Sequence, residues 1–172
     1  MTSRVLIGGV GYRWFGDGSF GLVVSDALAL LEWPAGVDVE DLGYGALHVA
    51  LHLAEVDPPY ERVILIGVTE RGREPGRLYR FPCERTEPDN EEIQARMYEA
   101  GAGVIDLDHL VVIGRHFDAL PDDVIAIELE PHPGTVGDGL TPDVQALVPQ
   151  VVDLVRQEVS AAMGAPPASV RR

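Results

Sequence analysis

The chain has 172 residues, 46% of them hydrophobic, which suits one domain with a sizeable core and disfavours a disordered chain. Its 13 Lys and Arg against 28 Asp and Glu give a net charge of −15, so neither nucleic acid nor an anionic membrane is the expected partner. No window reaches the roughly 18 apolar residues of a membrane span, Val5 opens a strand-like run rather than a signal peptide, and Cys83 is the only cysteine, which excludes an internal disulfide and a Cys-based zinc site and leaves a cytoplasmic protein as the simplest expectation.

The apolar run Val5-Leu6-Ile7 predicts a first strand over about 5–10. It enters a loop holding Gly8, Gly9, Gly11, Gly16, Gly18 and Gly21, and a helical period then covers about 19–32, with Val23, Ala27, Leu30 and Leu31 expected to face a sheet. Trp33-Pro34-Ala35-Gly36 stops that helix. Val37 to Asp41 alternates apolar and acidic residues, as an edge strand does, and a second glycine loop leads to a helix over about 46–55. Arg62 to Thr69 is a nearly unbroken β-branched run, the signature of a central parallel strand covered on both faces. A turn over 70–76, a short strand over 77–81 and helices over about 90–100 and 107–116 follow. Val124 to Leu129 reads as another strand, a Pro/Gly loop spans 131–139, and Thr141-Pro142-Asp143 opens a single last helix to about Met163. This order implies one α/β domain over 1–163, a three-layer α/β/α sandwich of the phosphorylase/hydrolase-like kind with a mostly parallel sheet, and a flexible tail over 164–172.

Loops that leave the carboxyl ends of parallel strands carry the sites of such sheets. In the first of them Asp17 is the only charged side chain apart from Arg13. It reads either as an acid for chemistry or, more commonly for a loop aspartate, as an acceptor that fixes a turn. Glu70 follows the central strand and is the second candidate acid, with solvation beside Arg71 and Arg73 as its plainer role. His48 and His52 sit four apart on one helix face, the spacing of a two-histidine metal site, but they need a third ligand such as Asp41 or Asp17. His109 and His116 share a face and read as surface residues, and His132 stands in its loop without an obvious partner. Cys83 has no nearby histidine to activate it, and neither a GxSxG elbow nor a GxGxxG loop occurs. Tyr12, Trp14, Phe15 and Phe20 gather around one loop, either as an exposed docking surface or as a plug in the crevice.

Four stretches in order resemble the hydrogenase maturation endopeptidases, which trim the C-terminus of the large subunit of nickel–iron hydrogenases. They are Gly9-Val10-Gly11 with Asp17 and Gly21, then Asp41-Leu42-Gly43, then VILIGVTERGREPGRLYRF from Val63, and then the strand, glycine loop and Thr-Pro helix from Ile127. The resemblance implies three metal-contacting side chains. Matched position by position, these fall on Gly18, Gly67 and Gly103, and glycine has no donor atom. The family's Asn and Thr in the first two loops are Tyr12 and Tyr44. The resemblance therefore implies no intrinsic cofactor, with nickel only in the partner's active site, and a hydrogenase large-subunit precursor as partner. Asp17 and Glu70 stand as candidate catalytic residues, Tyr12, Trp14, Asp41 and Tyr44 as candidate partner contacts, and His48 and His52 as a fallback metal pair. Two functions follow as expectations: a binding or assembly factor that has lost cleavage, or an active endopeptidase with a relocated acid/His site. A plain protein-interaction module is a third.

Overall fold

A computed structural model describes residues 3–86 and 88–164. The expected tail lies outside the described residues apart from Gly164. The sheet has five strands in the order β2-β1-β3-β5-β4. They are β1 (Val5–Gly9), β2 (Val37–Asp41), β3 (Arg62–Val68), β4 (Leu78–Pro82) and β5 (Asp123–Leu129). All pairings are parallel except that of β4, which runs antiparallel to β5 at one edge.

The sequence dictates which strands lie inside. Those in the middle are apolar along their length and have both faces covered, whereas β2, with its alternating carboxylates, forms the opposite edge. Successive residues of each strand point to opposite faces, so the core splits in two. Val5, Ile7, Ile64, Ile66, Ile127 and Leu129 meet α1 (Phe20–Ala29) and α6 (Val148–Ala162). Leu6, Val63, Leu65 and Val124 meet α2 (Ala46–Ala54) and α4 (Leu107–His116). Each fully buried Leu or Ile there contributes about 1.5–3 kcal/mol over its exposed state. Helix α3 (Asn90–Gly101) has no fully buried residue and leans on the second core through Met97 and Ala100.

Two expectations are corrected. Helix α1 buries Phe20, Leu22, Val24 and Leu28; of the four residues expected to face the sheet, Val23, Ala27 and Leu31 pack against the same core only partly buried, and Leu30 is 87% exposed. The stretch is apolar almost all round, so its period does not set the phase; a backbone contact does. A methyl group on Gly21 would sit 2.3 Å from the Ile66 carbonyl oxygen and 2.4 Å from that of Val10, so this glycine lets α1 start directly against the strand ends. The last helix is also two, α5 (Pro142–Gln145) and α6. Pro149 has no N–H for the Gln145 carbonyl and its ring crowds that oxygen, which interrupts the helix at the point where α6 begins.

Candidate functional site

The strand ends open into a cleft of about 390 Å³. Val10 and Gly11 come from the end of β1, Val68 and Glu70 from the end of β3, and Pro131 and His132 from beyond β5. Val104, Ile105 and Asp106, between α3 and α4, form another wall, and Tyr12, Phe15 and Val136 bring further apolar surface. Glu70, Asp106 and His132 are the carboxylate and imidazole side chains of this mostly apolar lining.

The first glycine loop is pinned on both sides. The Arg13 guanidinium donates to Asp26 at 2.8 and 3.1 Å and to Asp41 at 2.7 Å, tying the loop to α1 and to the end of β2. The Asp41 carboxylate also accepts from the Gly43 N–H at 2.8 Å. Between these anchors Trp14 adopts a left-handed φ of 57°, uncommon for a bulky residue, and its side chain is 74% exposed. Phe15 is half exposed beside the Tyr12 ring, whereas Phe20 is wholly buried, so the aromatic group divides into Tyr12 and Phe15, which line the cleft, Trp14, exposed next to them in the chain, and one core residue. The Tyr12 hydroxyl donates to the Gly103 carbonyl at 3.0 Å and accepts from the Ile105 N–H at 2.7 Å, strapping the first loop to the segment after α3.

Asp17 is fully buried and does not line the cleft. Its carboxylate accepts from the Thr141 N–H at 2.8 Å and from the Thr141 hydroxyl at 3.0 and 3.1 Å, which joins the first loop to the start of α5. Glu70 reaches the cleft from an exposed position. Asp41, the last residue of β2, and Tyr44, just past it, lie outside the lining. Burial, then Glu40 and Asp41, hold the Tyr44 phenol above its ordinary value. His48 and His52 are exposed on α2, and His52 approaches Glu40 at 3.1 Å. With Asp17 held by Thr141 and Asp41 by Arg13, neither proposed third ligand joins the two imidazoles.

Several residues of consequence escape the sequence reading. His132 does have a partner: its Nε2 lies 2.5 Å from Asp143 Oδ2, and this contact holds the Asp143 carboxyl below its usual range. Beneath the turn after β3, Glu128 and Glu130 are buried. Arg71 and Arg73 donate to Glu128 at 2.5–2.9 Å, while Glu130 accepts from Arg73 and from the Arg71 and Gly72 N–H groups at 3.0–3.1 Å. Burial opposes the charge on Glu130, but these donors outweigh it and depress its pKa. Glu70 itself is exposed, as its plainer role has it, while its neighbours Arg71 and Arg73 turn to Glu128 and Glu130 at the end of β5. The signal was present in IELE, where two carboxylates fall on one face of an otherwise apolar strand. His109, expected at the surface, is 3% exposed. Cys83 is half-buried, and burial pushes its thiol up to about 11, which suits an inert side chain.

The three glycines differ in what surrounds them. A Cβ on Gly18 would lie 2.8 Å from the Phe15 ring, and one on Gly67 would lie 3.0 Å from Leu107 Cγ and 3.1 Å from the Val10 carbonyl oxygen. Gly103 has open space but a φ of +90°, which a side chain disfavours. Among the described residues, no three His, Cys, Asp or Glu side chains stand together in a way that could hold a metal ion. A metal-contacting triad of the kind the resemblance implies therefore does not fit this cleft.

The family described as hydrogenase maturation protease, HycI, matches residues 23–158. A hydrogenase 2 maturation peptidase from a Thaumarchaeota archaeon is 30% identical, with 92% of this chain and 99% of that one covered and a TM-score of 0.64. The hydrogenase maturating endopeptidase HybD of Escherichia coli shares the fold at 18% identity, with 92% and 93% covered and a TM-score of 0.67. The [NiFe] hydrogenase maturation protease HybD of Thermococcus kodakarensis does so at 21% identity, with 91% and 99% covered and a TM-score of 0.61. No curated protein matches the sequence. The fold, the cleft at its strand ends and the match over most of its length define an α/β protein of the maturation-peptidase type. The chain belongs to the hydrogenase maturation protease family.

Proposed function

We propose that this family member binds a nickel–iron hydrogenase large-subunit precursor without cleaving it, and acts in its assembly. The observation that carries the reading is the combination at Gly18 and Gly67. Both lack donors, and Phe15 and Leu107 have closed on the space where donors would stand. The cleft that remains is apolar, has an aromatic lip and is held in shape by Arg13 and Tyr12. Such a lip suits recognition, because pre-ordered aromatic side chains bury large areas at little entropic cost. The test is the affinity for a purified precursor. Trp14→Ala and Phe15→Ala are each expected to weaken binding at least tenfold while leaving the fold intact. Unchanged affinity in both variants contradicts the docking role.

A second reading rests on Glu70 and on the His132–Asp143 pair. Here a carboxylate and an oriented imidazole share one cleft and activate a water on a bound peptide. In this version Asp17 has no part, because Thr141 occupies its carboxylate. The two readings differ in whether the precursor loses its C-terminal extension.

A further inference from the structure

The ladder between β4 and β5 fixes which backbone groups of β4 are left over. The Glu130 N–H donates to the Arg77 carbonyl at 3.0 Å, and the Cys83 N–H donates to the Val124 carbonyl at 2.8 Å. With Tyr79 opposite Glu128 and Phe81 opposite Ala126, the odd-numbered residues of this strand turn their backbone groups to β5. In an antiparallel pair such residues alternate with ones whose groups point the other way. The N–H and C=O of Leu78 and Arg80 and the carbonyl of Pro82 therefore point outward, and β4 is the last strand of the sheet. Among the described residues, none of these groups has a hydrogen-bond partner.

The two edges of the sheet differ. On β2 the carboxylates of Asp38, Glu40 and Asp41 guard the edge, since charged side chains deter further pairing. On β4 there is no carboxylate; Leu78, Tyr79 and Phe81 are half-buried, and the one charge, Arg80, is turned to Glu158 on α6 at 2.8 Å. Pro82 has no N–H and ends the usable edge, which limits it to a short added segment. The open edge also begins beside the cleft. A Cβ on Gly76 would lie 3.1 Å from His132 Nε2, and His132 lines the cleft. Leu78 is two residues further on, about 7 Å along an extended chain. A segment that leaves the cleft past His132 therefore meets the free groups of β4 within its next few residues.

We propose that the precursor segment held in the cleft continues past His132 in extended form and adds as a strand to the outer edge of β4, bonded to Leu78 and Arg80. This rests on the reading of the cleft as a site for the precursor, and names how the partner is gripped. In strand addition the main chain supplies affinity and alternate side chains supply selection. On one face of the sheet the added strand lies beside Tyr79 and Phe81, so an apolar residue at every second position fits there. On the other face its neighbours are Leu78 and the Arg80–Glu158 pair.

Amide hydrogen exchange of the whole chain, free and with purified large-subunit precursor, tests this residue by residue. In the free protein the Leu78 and Arg80 amides are expected to exchange fast while those of Tyr79 and Phe81 are protected. In the complex the Leu78 and Arg80 amides are expected to slow at least tenfold. A complex in which they keep their free rates overturns strand addition and leaves the cleft reading standing; absence of any complex overturns both. Protection that grows with protein concentration without precursor assigns the edge to a second copy of the chain, and also overturns the proposal. A pair of variants gives an independent check. Arg80→Ala loses the contact with Glu158 but keeps the N–H, whereas Arg80→Pro loses both. Arg80→Pro is expected to bind precursor about fivefold more weakly than Arg80→Ala, the worth of one backbone hydrogen bond. Equal affinities, with Tyr79 and Phe81 still protected in both free variants, contradict it.

Discussion

At the scale of single residues, a carboxylate in a strand-end loop serves chemistry or architecture according to what its oxygens already accept. Asp17 is fully buried with three contacts from Thr141, and so acts as a clasp between the first loop and α5. Asp17→Ala is expected to lower stability by about 2–3 kcal/mol, because it strands the Thr141 N–H and hydroxyl and removes a charged acceptor. The denaturant midpoint measures this, and an unchanged midpoint contradicts the clasp. Both possible roles of Asp17 were visible in the sequence, but Thr141 lies 124 positions away and local spacing cannot pair them. His132 and Asp143 were separated by a Pro/Gly loop with the same result. The glycines were the opposite case. Absence of a donor at 18 and 67 is a property of the residue itself and needed no coordinates, although the closing-in of Phe15 and Leu107 did.

At the scale of elements, the strands and most helices follow from period and punctuation: alternation in β2, an unbroken apolar run in β3, and Asp89 and Asp106 capping α3 and α4. What period could not supply was phase in α1, where nearly every face is apolar, and continuity near Pro149, where the first turn of α6 takes a proline that a through-going helix rejects. The turn after β3 is another element whose shape comes from outside it. Its Arg71 and Gly72 N–H groups are satisfied by Glu130, just past the end of β5. Glu130→Ala is expected to speed exchange of these two amides at least tenfold and to destabilise the fold by about 1–3 kcal/mol, since it removes one of the two carboxylates that Arg73 pairs with and leaves two donors without an acceptor. Exchange at wild-type rates contradicts this account of the turn. Because Glu70 precedes Arg71, the same contacts set where Glu70 enters the cleft.

At the scale of the whole molecule, the family scaffold is present in full: a five-stranded sheet between two helical layers, with the cleft at the carboxyl ends of its strands. No helix among the described residues is long and apolar enough to cross a membrane. The net charge of −15 favours a partner with basic surface. In the function we propose, the cleft is the working part, with mostly apolar walls and aromatic residues at its mouth. The mass of a nickel-loaded hydrogenase large-subunit precursor after incubation with the purified protein tests this most directly. Our account predicts a stable complex in which the precursor keeps its full mass; release of the C-terminal extension, at a rate that Glu70→Gln abolishes, would contradict it.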